Sequence, residues 1–295
     1  MNDSHPSEQM IRRRLSALAR ELPSASSGDV NAIHQARVAT RRVRAALPIV
    51  TRGSRRRKLK RSLTRLTRAL GGVRELDVAI LTLDELVSDP SVPKEGLEQL
   101  RAILQEERQR FYTEMNAILQ HVDLDRLQRR TLVAVERAAQ RDSEQSDLKR
   151  LKSVVRRAGK RALDLQAAIE NAGNIYLADR LHQVRIAVKK LRYVLEVARE
   201  LSRSRASARL RLLKNVQDLL GRMHDLEVLI TRIRALQGSD RAPTLKVSAD
   251  LDRLVRRLEM ECRQLHVRYM GFKKKLLELC DYVTAADDRQ PASAA

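Results

Sequence analysis

The chain has 295 residues and a formal net charge of +22, with 59 Lys and Arg against 37 Asp and Glu. Hydrophobic residues make up 43% of it, which excludes a wholly disordered chain, and the positive excess calls for an anionic partner: nucleic acid, a phosphate polymer or an acidic membrane surface. Trp is absent and the only other aromatics are Phe111, Phe272 and five Tyr, so the stacking platforms of single-strand binders are nearly missing.

Apolar residues recur at spacings of three and four almost everywhere, and no stretch alternates with period two. The predicted class is all-α. The expected helices run over about 5–22, 30–51, 54–70, 73–87, 94–121, 124–141, 145–172, 178–202, 206–220, 223–236 and 246–282. Breaks are expected at residues 23–29, with Asp29 as an N-cap, at Gly53-Ser54, Gly71-Gly72, 88–93, Gly173-Asn174, Gly221 and 237–243. Residues 284–295 read as a disordered tail.

Cys262 and Cys280 lie in one helical stretch, about 27 Å apart along its axis, too far for a disulfide within it. Buried free thiols in a reducing compartment are expected. No apolar run approaches the ~20 residues of a membrane span, and the N-terminus lacks the apolar segment of a secretion signal. The expected location is cytoplasmic, with no membrane partner.

The chain repeats itself. His34 opens HQARVATRRVRAAL and His182 opens HQVRIAVKKLRYVL, 148 residues later. Leu70 opens LGGVRELDVAIL and Leu220 opens LGRMHDLEVLIT, 150 residues later. Two matched segments in the same order at nearly one offset indicate a tandem duplication, with halves of about 5–142 and 143–283. Each half could form a helical bundle.

On a helix, His34, Arg37, Arg41 and Arg44 fall within about 80° of one another, while Ala36, Ala39, Val43, Ala46, Leu47 and Val50 form a separate apolar arc. The second copy repeats the design, with a stripe of His182, Arg185, Lys189 and Arg192 beside an arc of Val184, Ala187, Leu191, Val194, Leu195 and Ala198. Each stripe covers about 15 Å, with cations recurring about every 5 Å. Like charges at these spacings repel. Acids are scarce on both helices, so the repulsion is expected to await a linear polyanion. Arg suits phosphate because its planar fork binds two oxygens at once. A solvated surface face is the plain alternative for any charge run, but the same stripe occurring twice argues against it. Lys58, Arg61, Arg65 and Arg68 follow a similar spacing, and Arg209, Arg211 and Lys214 stand in the corresponding region of the second half. Arg42 and Lys190 flank the two main stripes.

Neither His34 nor His182 has a His, Cys or carboxylate at i+3 or i+4, so no metal site is expected. No nucleophile or carboxylate partner repeats with them, so no catalytic role is expected either. His224 occupies the slot of Arg74 in the other copy, a shared anion-facing position. Asp77 with Glu227, and Glu75 with Asp225, read as structural acids at equivalent places.

The pattern His34-x-x-Arg37-x-x-x-Arg41-Arg42-x-Arg44, followed by Leu70-Gly71-x-x-Arg74-x-x-Asp77, resembles the CHAD domain, the conserved histidine α-helical domain. The second copy fits it too, from Leu181-His182-x-x-Arg185-x-x-x-Lys189-Lys190-Leu191-Arg192-Tyr193 to Leu220-Gly221-x-x-His224-Asp225. The resemblance spans residues 5–283 and implies two helical bundles related by a pseudo-twofold axis, with a basic groove or pore between them. It implies binding of inorganic polyphosphate and association with polyphosphate granules. The residues carried over are His34, Arg37, Arg41, Arg44, His182, Arg185, Lys189 and Arg192, and less directly Arg74, His224 and the Lys58–Arg68 stripe. Some members carry a CYTH-type triphosphate hydrolase, but the string Glu259-Met-Glu261-Cys-Arg263 ends in Arg and lies in a helical stretch. A stand-alone, non-catalytic binding protein without cofactor is the expectation. Nucleic acid is the alternative ligand.

Overall fold

The three-and-four spacing materialises as helices throughout. The computed structural model describes residues 6–51, 53–87, 94–140, 146–202 and 207–288. Those residues form α1 (Pro6–Ser26), α2 (Val30–Val50), α3 (Gly53–Val87), α4 (Lys94–Gln120), α5 (Leu124–Gln140), α6 (Ser146–Ala172), α7 (Ala178–Ser202), α8 (Ser207–Gln237) and α9 (Leu245–Asp288), with no strand among them. The boundary between the halves, near 142, and the break at 88–93 lie outside the described residues.

Local chemistry sets the helix ends. Asp29 caps α2 as expected, accepting the Ala32 N–H at 2.6 Å. Gly173 follows α6 with a φ of +63°, the left-handed conformation that commonly closes a helix. Asp123 accepts the Arg126 N–H at 2.7 Å and so starts α5.

Three expected breaks move or vanish. Pro23 sits inside α1, which continues to Ser26. α3 passes through Gly71-Gly72 and α8 through Gly221 without interruption. At Gly72 the missing side chain serves close approach, not a turn, whereas at Gly71 a side chain would make only an ordinary contact. A Cβ on Gly72 would stand 2.5 Å from the Phe111 ring, and one on Gly71 would stand 3.6 Å from Arg37 Nε. At the C-terminus α9 carries Thr284 to Asp288, which the tail assignment had included, and residues 289–295 lie outside the described set.

The two halves pack alike. α1 pairs with α2, α2 with α3 and α3 with α4; α6 pairs with α7, α7 with α8 and α8 with α9. Between the halves α2 meets α7 and α3 meets α8. They differ in their last helices. α9 is unbroken and packs along α6, whereas its counterpart is split into α4 and α5, and α5 packs against α1 and α3.

The predicted apolar arcs are the core. Every member of the α2 arc is buried. In α7, Val184, Ala187, Leu191 and Val194 are buried, and Leu195 and Ala198 pack against the same core. Each fully buried Leu or Val contributes about 1.5–3 kcal/mol through removal of apolar surface from water. Cys262 and Cys280 are buried free thiols, and burial pushes both thiol pKa values up.

One charged pair ties α4 to α3. Asp77 is 2% exposed and accepts from Arg108 Nε at 2.6 Å, while Arg108 Nη2 donates to the Gly28 carbonyl at 3.0 Å. Removing Arg108 would strand a buried carboxylate. Arg108→Ala is therefore expected to lower the unfolding free energy by about 3 kcal/mol in urea titration, and adding Asp77→Ala should recover part of that loss. A loss below about 1 kcal/mol would contradict a structural role for this pair.

Candidate anion-binding site

The contact of α2 with α7 turns two separate stripes into one. Arg37 on α2 lies within electrostatic reach of Arg41, of Arg185 on α7 and of Arg74 on α3. Lys189 on α7 senses Arg185, Arg41 and Arg37. Five cations from three helices thus share one half-buried region between the halves. Asp225 of α8 is the carboxylate nearest to Arg185 and Lys189 in effect. The sequence left open whether the stripes line one site or two; the packing brings their N-terminal parts together.

These cations are poorly compensated. Burial, then repulsion by Arg41, brings the Arg37 guanidinium down to about 10. Burial, then Arg185, Arg41 and Arg37, brings the Lys189 ammonium down to about 7. Arg185 and Arg74 are lowered first by burial, with Asp225 partly opposing in both. Asp225 itself is raised by burial against the pull of Arg185 and Lys189. The Nε atoms of Arg37, Arg44 and Arg185 are buried with no acceptor in the protein. Arg37 and Arg185 are equivalent residues of the repeat, so both halves present the same unsatisfied donor. An orphaned buried donor costs about 1–3 kcal/mol, and Arg14 and Arg157, outside the centre, carry the same feature.

The histidines flank this centre. His34 lies beside Arg74, Arg37 and Arg41, and burial followed by those charges lowers its pKa. His182 Nδ1 and His224 Nδ1 are 3.3 Å apart, with ring centroids 4.7 Å apart. Burial, then Arg185, brings His224 down to about 4, so this pair is neutral near pH 7. Each repeat-opening histidine therefore neighbours the equivalent α3 or α8 residue, Arg74 in one half and His224 in the other. Among the described residues no three His, Cys, Asp or Glu side chains gather in a metal-holding group.

Several expected site residues lie elsewhere. Arg192 is held by its own half: Nη1 donates to Glu196 at 2.6 Å and Nε to Gln217 at 2.9 Å. Glu196 also pairs with Arg42 at 3.6 Å, and Glu200 pairs with Arg14 at 2.5 Å. The repulsion at this end is thus neutralised within the protein, contrary to the expectation drawn from scarce acids. Two carboxylates one turn apart on α7 suffice because α1 and α2 bring their arginines to them. Lys190 and Arg211 are exposed, and Lys214 pairs with Asp218 at 2.8 Å. Lys58, Arg61 and Arg65 are exposed on the outer face of α3. Arg44 bridges the two regions, since its guanidinium is lowered by burial and then by Arg41 and Arg68. Sequence reasoning passed over Tyr193, which lies close to Arg37, while Asp225, read as a structural acid, lies beside Arg185 and Lys189 in the cationic cluster. Tyr193 stands within the repeated motif, so its proximity to the stripe was a readable signal.

A family model for the CHAD domain matches residues 9–234, and the chain belongs to that family. The fold agrees with the crystal structure of the CHAD domain from the plant Ricinus communis, at 19% identity and a TM-score of 0.57, over 98% of this chain and 94% of that one. It also agrees with PptA from Streptomyces chartreusis, at 16% identity and a TM-score of 0.58, over 97% and 98%. Among curated proteins none matches this sequence. No described helix is long and apolar enough to cross a membrane.

The lowered Lys189 has a measurable consequence. Its ordinary value of 10.5 applies in the unfolded chain, against about 7 in the folded one. Between those values the unfolded chain binds the extra proton, so stability rises as pH rises from about 7 toward 10.5. Lys189→Met should be more stable than wild type near neutrality and show a flatter rise over that window, read by urea unfolding at several pH values. Parallel wild-type and variant curves would show that Lys189 is not held in a cationic, desolvated place.

Proposed function

We propose that this chain binds inorganic polyphosphate at the cationic centre between its halves, without cleaving it. The single observation that carries the reading is the meeting of two equivalent arginines of the repeat, Arg37 and Arg185, in one half-buried, cation-rich region. Arg41, Arg74 and Lys189 surround them with further positive charge. A phosphate chain supplies what this centre lacks: closely spaced oxygens that accept and never donate, and negative charge at every unit. The link of the CHAD family to polyphosphate supports that choice of ligand. Facing stripes from equivalent helices are what a pseudo-twofold axis between α2 and α7 would produce.

His34, His182 and His224 border the same centre and take the part of hydrogen-bonding groups, not of acid–base catalysts. Affinity comes from charge-assisted hydrogen bonds and from release of condensed counterions, as in phosphate-backbone binding. Such a protein would sit on polyphosphate granules in the cytoplasm.

Titration with long polyphosphate at two salt concentrations tests this. Wild type should bind with an affinity that falls steeply with salt. Changing Arg37, Arg41, Arg185 and Lys189 to Ala should weaken binding by orders of magnitude and reduce the salt slope by about 3, with circular dichroism showing that the variant stays helical. Duplex DNA should compete poorly, and no phosphate should be released with or without Mg²⁺. Equal binding by the variant would move the site away from the centre. Preference for DNA would replace the ligand, and phosphate release would make the protein an enzyme.

A further inference from the structure

The two halves are not equivalent outside the centre. Leu70 and Leu220 set the register at 150 residues, and neither α3 nor α8 is broken at its glycines, so that register holds along both helices. Lys58 then corresponds to Ala208, Arg61 to Arg211, Arg65 to Asn215 and Arg68 to Asp218. Only one cation of the outer α3 stripe is kept in the second half, and an acid stands where Arg68 was. The cations nearby on α8 are committed within the protein. Lys214 pairs with Asp218, Arg209 stacks on the Tyr282 ring at 3.5 Å, and Arg222 pairs with Glu85 at 2.7 Å and Glu261 at 3.1 Å.

The first half is the reverse. From residue 53 to Arg74, α3 contains no acid. Lys58, Arg61, Arg65 and Arg68 are all exposed and have no acidic partner among the described residues. They line an open groove of about 900 Å³ whose far wall includes Ile118 of α4. The split of α4 from α5 opens a second groove beside it, of about 570 Å³, where Arg126, Arg129 and Arg130 of α5 face Arg55, Lys58 and Arg65. In the other half the counterpart α9 is unbroken. Asp123 is the acid lining this second groove, and it caps α5.

The inner end of the track joins the centre. Arg68 lies within electrostatic reach of Arg44, the last residue of the α2 stripe. From Arg68 to Lys58 is ten residues, about 15 Å along the helix.

We infer that a polyphosphate chain too long for the centre runs outward over the first half, along the exposed face of α3 from Arg68 to Lys58, and not over α8. The protein then has two parts with different length requirements: a central site that short chains fill, and a one-sided outer track that only long chains reach. This rests on the reading of the centre as a polyphosphate site. The outer contacts act as additional valency, so their effect appears only when one ligand spans both regions.

Binding of tripolyphosphate and of long polyphosphate to three proteins tests it: wild type, an α3 variant (Lys58→Ala, Arg61→Ala, Arg65→Ala) and an α8 variant (Arg209→Ala, Arg211→Ala, Lys214→Ala). Circular dichroism checks that both variants fold. The α3 variant should hold tripolyphosphate as wild type does, lose about tenfold or more for the long chain, and show a salt slope lower by about 2 for the long chain only. The α8 variant should match wild type for both ligands to within about twofold, as surface cations away from a ligand do. If wild type binds tripolyphosphate while the α3 variant holds long chains undiminished, or if the α8 variant loses as much, the outward track is wrong and the centre stands. If wild type binds neither ligand, the reading of the centre fails and the track fails with it.

Discussion

The constraint on which this structure turns is the burial of like charges where the two halves meet. Arg37 and Arg41 of α2 face Arg185 and Lys189 of α7, with Arg74 close by, and Asp225 answers only part of that charge. Bringing cations together in a desolvated place is unfavourable twice over, through lost hydration and through mutual repulsion. The lowered pKa of Lys189 and the acceptor-less Nε atoms of Arg37 and Arg185 are two expressions of the same conflict. Such a conflict persists only where surrounding packing imposes it, and it marks where a ligand would relieve it.

The surrounding packing is apolar and repeated. The arcs of α2 and α7 are buried in the core of their own halves, which turns both cationic faces toward the junction. At the far end of the stripes and around α4 the protein neutralises its charges conventionally. Glu196 and Glu200 hold Arg192, Arg42 and Arg14, and Asp77 holds Arg108. That compensation contrasts with the deficiency at the centre and with the outer stripe of α3, which has no acidic partner among the described residues. With +22 of net charge overall, the informative quantity is which cations have partners.

Much of this was legible in the residues. The stripe–arc division of α2 and α7 followed from period 3.6, and Asp29 followed from cap chemistry. The pairing of His224 with the place of Arg74 followed from the repeat. What escaped detection depended on neighbours distant in sequence. Gly71-Gly72 resembled a helix stop, yet Phe111 of α4 explains the glycine at 72. Arg192 continues the α7 stripe by spacing, but Glu196 on its own helix and Gln217 on α8 take it up. Lys214 seemed to match the α3 stripe until the register across unbroken helices set Asp218 opposite Arg68. Periodicity tells which face a residue occupies; only packing tells what that face meets.

Equivalent residues of the two repeated segments meet at the centre, while the outer faces of α3 and α8 differ. The central claim is that both copies of the stripe serve one site. Counting tripolyphosphate sites by calorimetric titration tests it most directly, with wild type, Arg37→Ala and Arg185→Ala compared side by side. The account predicts one site per chain, weakened by either substitution alone. Two sites per chain, each lost with only one of the substitutions, would contradict it.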